Sequence, residues 1–289
     1  MKRLDGVEIG ALIVLMAGIV LAVLHWESVV RMFGYVLHEQ RKPPAAAASA
    51  PPVMASAPIA SAAASAPAQL QLPAASQPLP SLAGSDRAFG GAVASLVGRG
   101  AFSQWWVPDQ LILHLVSTID NLARAQAPVR AWPVKPTPGH LQVRADGAQA
   151  VLDDSNYARY APYMAWLRRV DAARTVAVYL DFYPLFQQAW RALGYPKGQF
   201  NDRLLQVIDN LLAAPEPSGP IRLVQPHVLY RYADPGLESA SAGQKILMRI
   251  GPANEREVKA KLRELRSQLL LHMRAASAAG SAPAAAAGR

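Results

Sequence analysis

Apolar residues fall into three patterns along the chain. From Ile9 to Leu24, sixteen consecutive residues lack a polar side chain. From Pro43 to Ser85 the chain is mostly Ala, Pro and Ser, with no charged residue. From Asp86 onward, apolar positions recur at helical spacing and are interrupted by proline and glycine. Phe89, Val93, Leu96 and Val97 predict a helix over 86–98, with Ser85 as its cap and Gly98 and Gly100 as its stop. A second helix is expected to open at Pro108 and run through Leu111, Leu115, Ile119 and Leu122. Residues 141–144 and 150–152 flank Asp146-Gly147, a hairpin signal. Asp153 or Asp154 begins a helix with Tyr157, Tyr160, Met164 and Leu167. Asp171 begins a longer one, kinked at Pro184 and ended by Gly194. Residues 199–213 form another helix, 221–224 and 228–232 two short strands, and 241–250 and 254–273 the closing helices.

The closing helix carries the clearest local signals. Asn254 and Glu257 have capping-box spacing. Val258, Leu262, Leu265 and Leu269 form its apolar stripe. Glu255 to Lys259 and Glu257 to Lys261 are i,i+4 pairs expected on the wet side. An internal duplication is also suggested. Ile119-Asp120-Asn121-Leu122 recurs as Ile208-Asp209-Asn210-Leu211, and Pro108/Pro196, Val134/Val224, Ala145-Asp146/Ala233-Asp234 and Pro162/Pro252 keep nearly the same offset. The fold class expected is therefore mainly α with short β-hairpins, in one domain built from two pseudo-repeats of about 89 residues.

The first two patterns set the organisation. The apolar run covers about 24 Å as a helix, slightly short of the ~30 Å hydrocarbon core, and Trp26 extends it into the interface. A cleaved signal peptide is the alternative, but no small-x-small site follows the run. The expected division is a cytoplasmic segment 1–8, a transmembrane anchor 9–26, a disordered linker 43–85, a folded domain 86–274 and an Ala-rich tail 275–289. Gly18 and Ala22 form a small-xxx-small pair that permits a homodimer. Basic residues flank both ends of the run and give no orientation by themselves. The long spacer favours a bacterial inner-membrane protein whose body lies in the periplasm.

Composition and charge narrow the chemistry. Cysteine is absent, which excludes disulfides, thiolate metal sites and a cysteine nucleophile. The chain carries 29 Lys and Arg against 20 Asp and Glu, a net +9. That surplus suits acidic partners, and without a basic run it does not suit nucleic acid. No histidine has metal-ligand spacing, and no phosphate loop or nucleophile elbow occurs. No cofactor or metal is expected.

Several runs have a family resemblance: 118–122 (TIDNL), 156–160 (NYARY), 183–188 (YPLFQQ), 193–196 (LGYP), 200–203 (FNDR), 228–234 (VLYRYAD) and 241–245 (SAGQK). Together, over roughly 86–270, they resemble a bacterial family known only as a domain of unknown function. The resemblance implies single-pass, membrane-anchored envelope proteins. It implies no activity and no catalytic residue.

Asn156, Tyr157, Arg159, Tyr160 and Tyr163 combine aromatic rings with a guanidinium, a pattern suited to sugars, peptides or carboxylates. Tyr195, Asn201, Asp202 and Arg203 form a second polar group. Capping and half-buried tyrosines are the plain alternative for both. Ser241 and Lys245 have dyad spacing, but a dyad needs a desolvated lysine, and Ser241 as a cap with Lys245 solvated is the preferred reading. Asp120 and Asp209, if brought together, would be paired carboxylates for acid–base work; beside Asn near a helix end, local turn hydrogen bonding is the commoner role. The function expected is a membrane-tethered periplasmic binding or scaffold protein engaging another envelope protein or cell-wall material. The alternative is an envelope hydrolase using those carboxylates.

Overall fold

A computed structural model describes residues 78–280, apart from 136, 138, 139, 148 and 227–229. The apolar run 9–26, the linker up to residue 77 and the tail from 281 lie outside the described residues. Among the described residues, no helix is long and apolar enough to cross a membrane.

The architecture is mainly helical with one small antiparallel sheet. In chain order the elements are α1 (Asp86–Val97), α2 (Arg99–Trp105), α3 (Leu111–Leu122), β1 (Val143–Asp146), β2 (Gln149–Leu152), α4 (Ser155–Ala158), α5 (Ala161–Leu167) and α6 (Ala172–Ala192). They continue with α7 (Phe200–Leu212), β3 (Arg222–Val224), β4 (Arg231–Tyr232), α8 (Pro235–Glu238), α9 (Ala242–Ile250) and α10 (Pro252–Gly280). Helices α3, α6, α7 and α10 pack together and hold the main core. Phe89 meets Phe182 and Phe186 edge-on, at 5.1 and 5.5 Å between ring centroids, and Phe186 stacks on Phe200. Such pairs add specificity to the burial of large apolar area.

Local signals explain most helix ends. Asp171 accepts the Arg174 amide at 2.8 Å and starts α6, which continues through Pro184 to Ala192. Ser241 and Gln244 complete a reciprocal capping box on α9. Ser85 does not cap α1; its hydroxyl turns back to the Leu82 carbonyl at 2.7 Å. Helix α3 opens at Leu111, not Pro108. Its cap arrives from 25 residues away: Asp86 accepts the Gln110 and Leu111 amides at 2.9 and 2.8 Å. Asn254 is not a cap either, because α10 already begins at Pro252 and Asn254 donates to the Ile250 carbonyl at 2.8 Å.

The sheet runs β1-β2-β3-β4, every pair antiparallel. Asp146-Gly147 makes the first turn, with Gly147 at φ 61°. Ala150, Leu223 and Tyr232 share one row, and Leu223 and Tyr232 join Leu152, Ile221 and Met248 in a second, smaller core. Arg144, Val151 and Arg222 share the next row, which faces the other side.

The succession helix, hairpin, short helix, longer helices occurs twice, as α3 to α6 and α7 to α10. The Ile-Asp-Asn-Leu tetrapeptide closes both α3 and α7, and these helices pack on each other. Leu122 and Leu211 converge on Gly243 of α9, where a Cβ would lie 2.4 Å from Leu211 Cδ2 and 3.0 Å from the Leu122 carbonyl oxygen. The hairpins correspond less closely. Ala145 and Asp146 lie in β1, whereas Ala233 and Asp234 follow β4, and Asp234 caps α8.

Candidate functional site

Three polar centres gather several of the candidate residues, and the others are dispersed. The first is built on Asp120, near the end of α3. Its side chain is almost fully buried and accepts from Arg203 Nε at 2.7 Å, Arg124 Nη2 at 2.7 Å and the Tyr195 hydroxyl at 2.9 Å. Arg203 also donates to the Asp120 carbonyl at 2.8 Å. Tyr195 lies flat on Trp190, 3.8 Å between centroids. Asp120 holds the Arg124 guanidinium above its ordinary pKa. Burial, then the Asp120 carboxylate, pushes the Tyr195 phenol up, which keeps it a neutral donor. Asp209 occupies the matching place in α7 but is exposed and paired with Arg266 of α10 at 2.7 Å. The two aspartates sit in separate ion networks.

The second centre is a clamp made by Asn156. Fully buried, it accepts the Gln142 amide at 2.9 Å and donates to the Gln142 and Asp153 carbonyls at 2.7 and 2.6 Å. Arg159 donates to the His140 carbonyl at 3.1 Å. Both side chains fasten the approach to β1 onto α4. Tyr160 is buried in the main core. Asn201 is buried as well, accepting from Tyr179 and donating to Met273 Sδ. Asp202 is exposed in the first turn of α7. Ser241 is a cap bonded to Asn210 at 2.8 Å, and Lys245 pairs with Glu238 at 3.2 Å, so the two serve different partners.

The third centre is a cavity of about 290 Å³ where the sheet meets α4 and α10. Arg144 of β1, Asp154, Tyr157 and Glu255 contribute its polar lining, Ile221 and Met248 its apolar part, and residues 217–220 one wall. The Tyr157 ring rests on Gly251, whose φ is 92°. A Cβ there would come within 2.5 Å of Tyr157 Cγ, so only glycine fits this joint. Burial, then the nearby Asp154 carboxylate, pushes the Tyr157 phenol up to about 12.

Behind Tyr157, Glu255 and Lys259 are 1 % and 3 % exposed. The expectation that this i,i+4 pair faces water is therefore overturned. Lys259 Nζ lies 2.9 Å from Glu255, donates to Glu216 at 2.8 Å and donates to the Ala214 carbonyl at 2.7 Å. The ammonium thus ties α10 to the chain leading into the cavity wall. Burial pushes the Glu255 carboxyl up, and Lys259 opposes that shift. Glu257 bonds Arg168 instead of Lys261, and Lys261 donates to the Val170 carbonyl at 3.0 Å.

The sequence pattern of the family described as Protein of unknown function (DUF3014) matches residues 111–266, more than half of the chain. The chain belongs to the DUF3014 family. The DUF3014 match starts at the first residue of α3 and ends within α10, so it contains all three polar centres and leaves out α1 and α2. Comparison with curated proteins and with solved structures gives no match.

Of the residues singled out by sequence, Tyr157 lines the cavity, Tyr195 serves Asp120, and Asn156, Arg159, Tyr160 and Asn201 hold the fold. Arg144 and Glu255 also line the cavity, without a distinctive sequence signal. Arg144 follows an ordinary strand alternation, and Glu255 shows only helix-surface spacing. Among the described residues, no group of three or more His, Asp or Glu is placed to hold a metal.

Proposed function

We propose that this protein is a membrane-tethered binding protein of the bacterial envelope, anchored in the inner membrane by residues 9–26. The linker carries the folded domain into the periplasm, where the cavity around Tyr157 engages cell-wall material or another envelope protein. The observation that carries the reading is the mixed lining of that cavity: a guanidinium, two carboxylates, a phenol and apolar side chains around a volume suited to small ligands. The positive body charge and the arginines of the outer sheet face, Arg144, Arg222 and Arg231, suit an anionic partner beside it. The recurrence of Ile-Asp-Asn-Leu and of the element order supports two diverged pseudo-repeats of about 89 residues.

The hydrolase reading loses its first candidates, because Asp120 is saturated with donors and Asp209 pairs elsewhere. Asp154 and Glu255 share the cavity, and burial raises the Glu255 carboxyl, which keeps an acid–base role as the second reading. The adjacent Lys259 ammonium favours the charged carboxylate over a proton donor and ranks binding first. In-cell crosslinking of the full-length chain tests the order. Recovery of cell-wall fragments or a reproducible envelope protein attached to residues 217–220 supports binding. No attachment, together with turnover of a cell-wall substrate lost on Asp154→Asn, supports the hydrolase.

A further inference from the structure

We propose that the cavity takes a small zwitterion of the class of free amino acids and dipeptides, with its carboxylate on Arg144 and its amine on Asp154, within the field of the buried Glu255. This rests on the binding reading above and names its ligand. The volume of about 290 Å³ admits two small residues.

The charges point the same way. Arg144 stands exposed on β1, near the Asp153 carboxylate, and makes no close salt bridge to it. Planar guanidinium favours carboxylate by paired hydrogen bonds. Across the lining, Asp154 and Glu255 supply the opposite sign. The Lys259 ammonium serves two carboxylates at once, Glu216 and Glu255, and spends its third proton on the Ala214 carbonyl. Those three side chains carry a net negative charge when ionised, and a ligand amine supplies the missing cation. A polyanion would meet Asp154 and Glu255; a simple amine would leave Arg144 unused. Ile221 and Met248, both buried in the smaller core, form the apolar floor of the cavity.

Titration calorimetry on the full-length protein in detergent micelles tests this with four probes: alanyl-alanine, its N-acetyl form, its C-terminal amide and the doubly blocked molecule. Alanyl-alanine is expected to bind, with each single block weakening it at least tenfold. Arg144→Gln should erase the penalty for amidation and keep that for acetylation. Asp154→Asn should shrink the penalty for acetylation. Asp154 is the preferred acidic position because Glu255→Gln disturbs Lys259, and thermal unfolding verifies that each variant is folded. Equal binding of all four probes, or binding of none, overturns the assignment. If none binds while crosslinking at 217–220 still captures a partner, the zwitterion falls and the binding reading stands. Loss of both results removes both.

Discussion

Asp120 and Glu255 are both buried carboxylates with cationic partners, and they differ in what surrounds their oxygens. Asp120 is met by two guanidiniums and a phenol, and Arg203 also takes its backbone carbonyl. Its acceptor sites are filled from the turn after α3, from α7 and from the loop between α6 and α7. Glu255 has one ammonium, shared with Glu216, and lies against a cavity. A carboxylate whose partners are all supplied by its own chain joins helices together. One that shares its cation and borders open volume has capacity left for a ligand. The same contrast separates Asp120 from Asp209, which occupy one tetrapeptide in two settings. Burial and partners, not the local motif, determine what each aspartate does.

The largest expected effects come from breaking the two buried centres. Lys259→Met leaves Glu255 buried without its cation, and Asp120→Ala leaves Arg203 without its anion. Each should lower the unfolding free energy in urea by ~3–5 kcal/mol. The two differ in the cure. Replacing Glu255 as well, in Lys259→Met/Glu255→Met, should recover much of the first loss, since well-packed apolar pairs substitute for buried ion pairs. Asp120→Ala should leave capture at the cavity intact in the protein that remains folded.

Gly251→Ala should cost ~1–3 kcal/mol, because the residue keeps a positive φ and its methyl displaces the Tyr157 ring. It should also weaken capture at the cavity, which a pure backbone effect elsewhere would not.

The tyrosines give a pH signature. Burial raises Tyr183 and Tyr157 to about 12. The folded state therefore keeps phenol protons that the unfolded chain releases near pH 10. Their contribution is complete below pH 10 and is lost as pH rises towards 12. Urea titrations from pH 9 to 12 should show falling stability, with a shallower fall in Tyr157→Phe. Asp209→Asn should have the smallest effect, ~0–1 kcal/mol, since its pair with Arg266 is exposed.

Much of the helical framework was legible because its signals are local. Asp171 and Ser241 announce the starts of α6 and α9, and Asp146-Gly147 announces the first hairpin turn. Helix α2 was hidden because Gly98 and Gly100 read as a stop, whereas Gly98 serves as a hinge at φ 87° and the helix resumes at Arg99. The cap of α3 was hidden because Asp86 reaches it from another helix. Leu79 and Leu82 pack against the core, so the fold begins ahead of residue 86. In the candidate site, Tyr157 stood out through its aromatic and charged neighbours. Glu255 and Lys259 did not, because their burial depends on Glu216 and the Ala214 carbonyl, more than 35 residues away. Spacing on a helix identifies neighbours and leaves open which side the rest of the chain covers.

The most direct test places a photoreactive residue in the full-length protein in cells, once at Ser218 on the cavity wall and once at Asp209 on the exposed face of α7. The account predicts light-dependent attachment of cell-wall material or an envelope protein at Ser218, lost with Arg144→Gln, and none at Asp209. Equal attachment at both positions, or attachment at Asp209 alone, would contradict it.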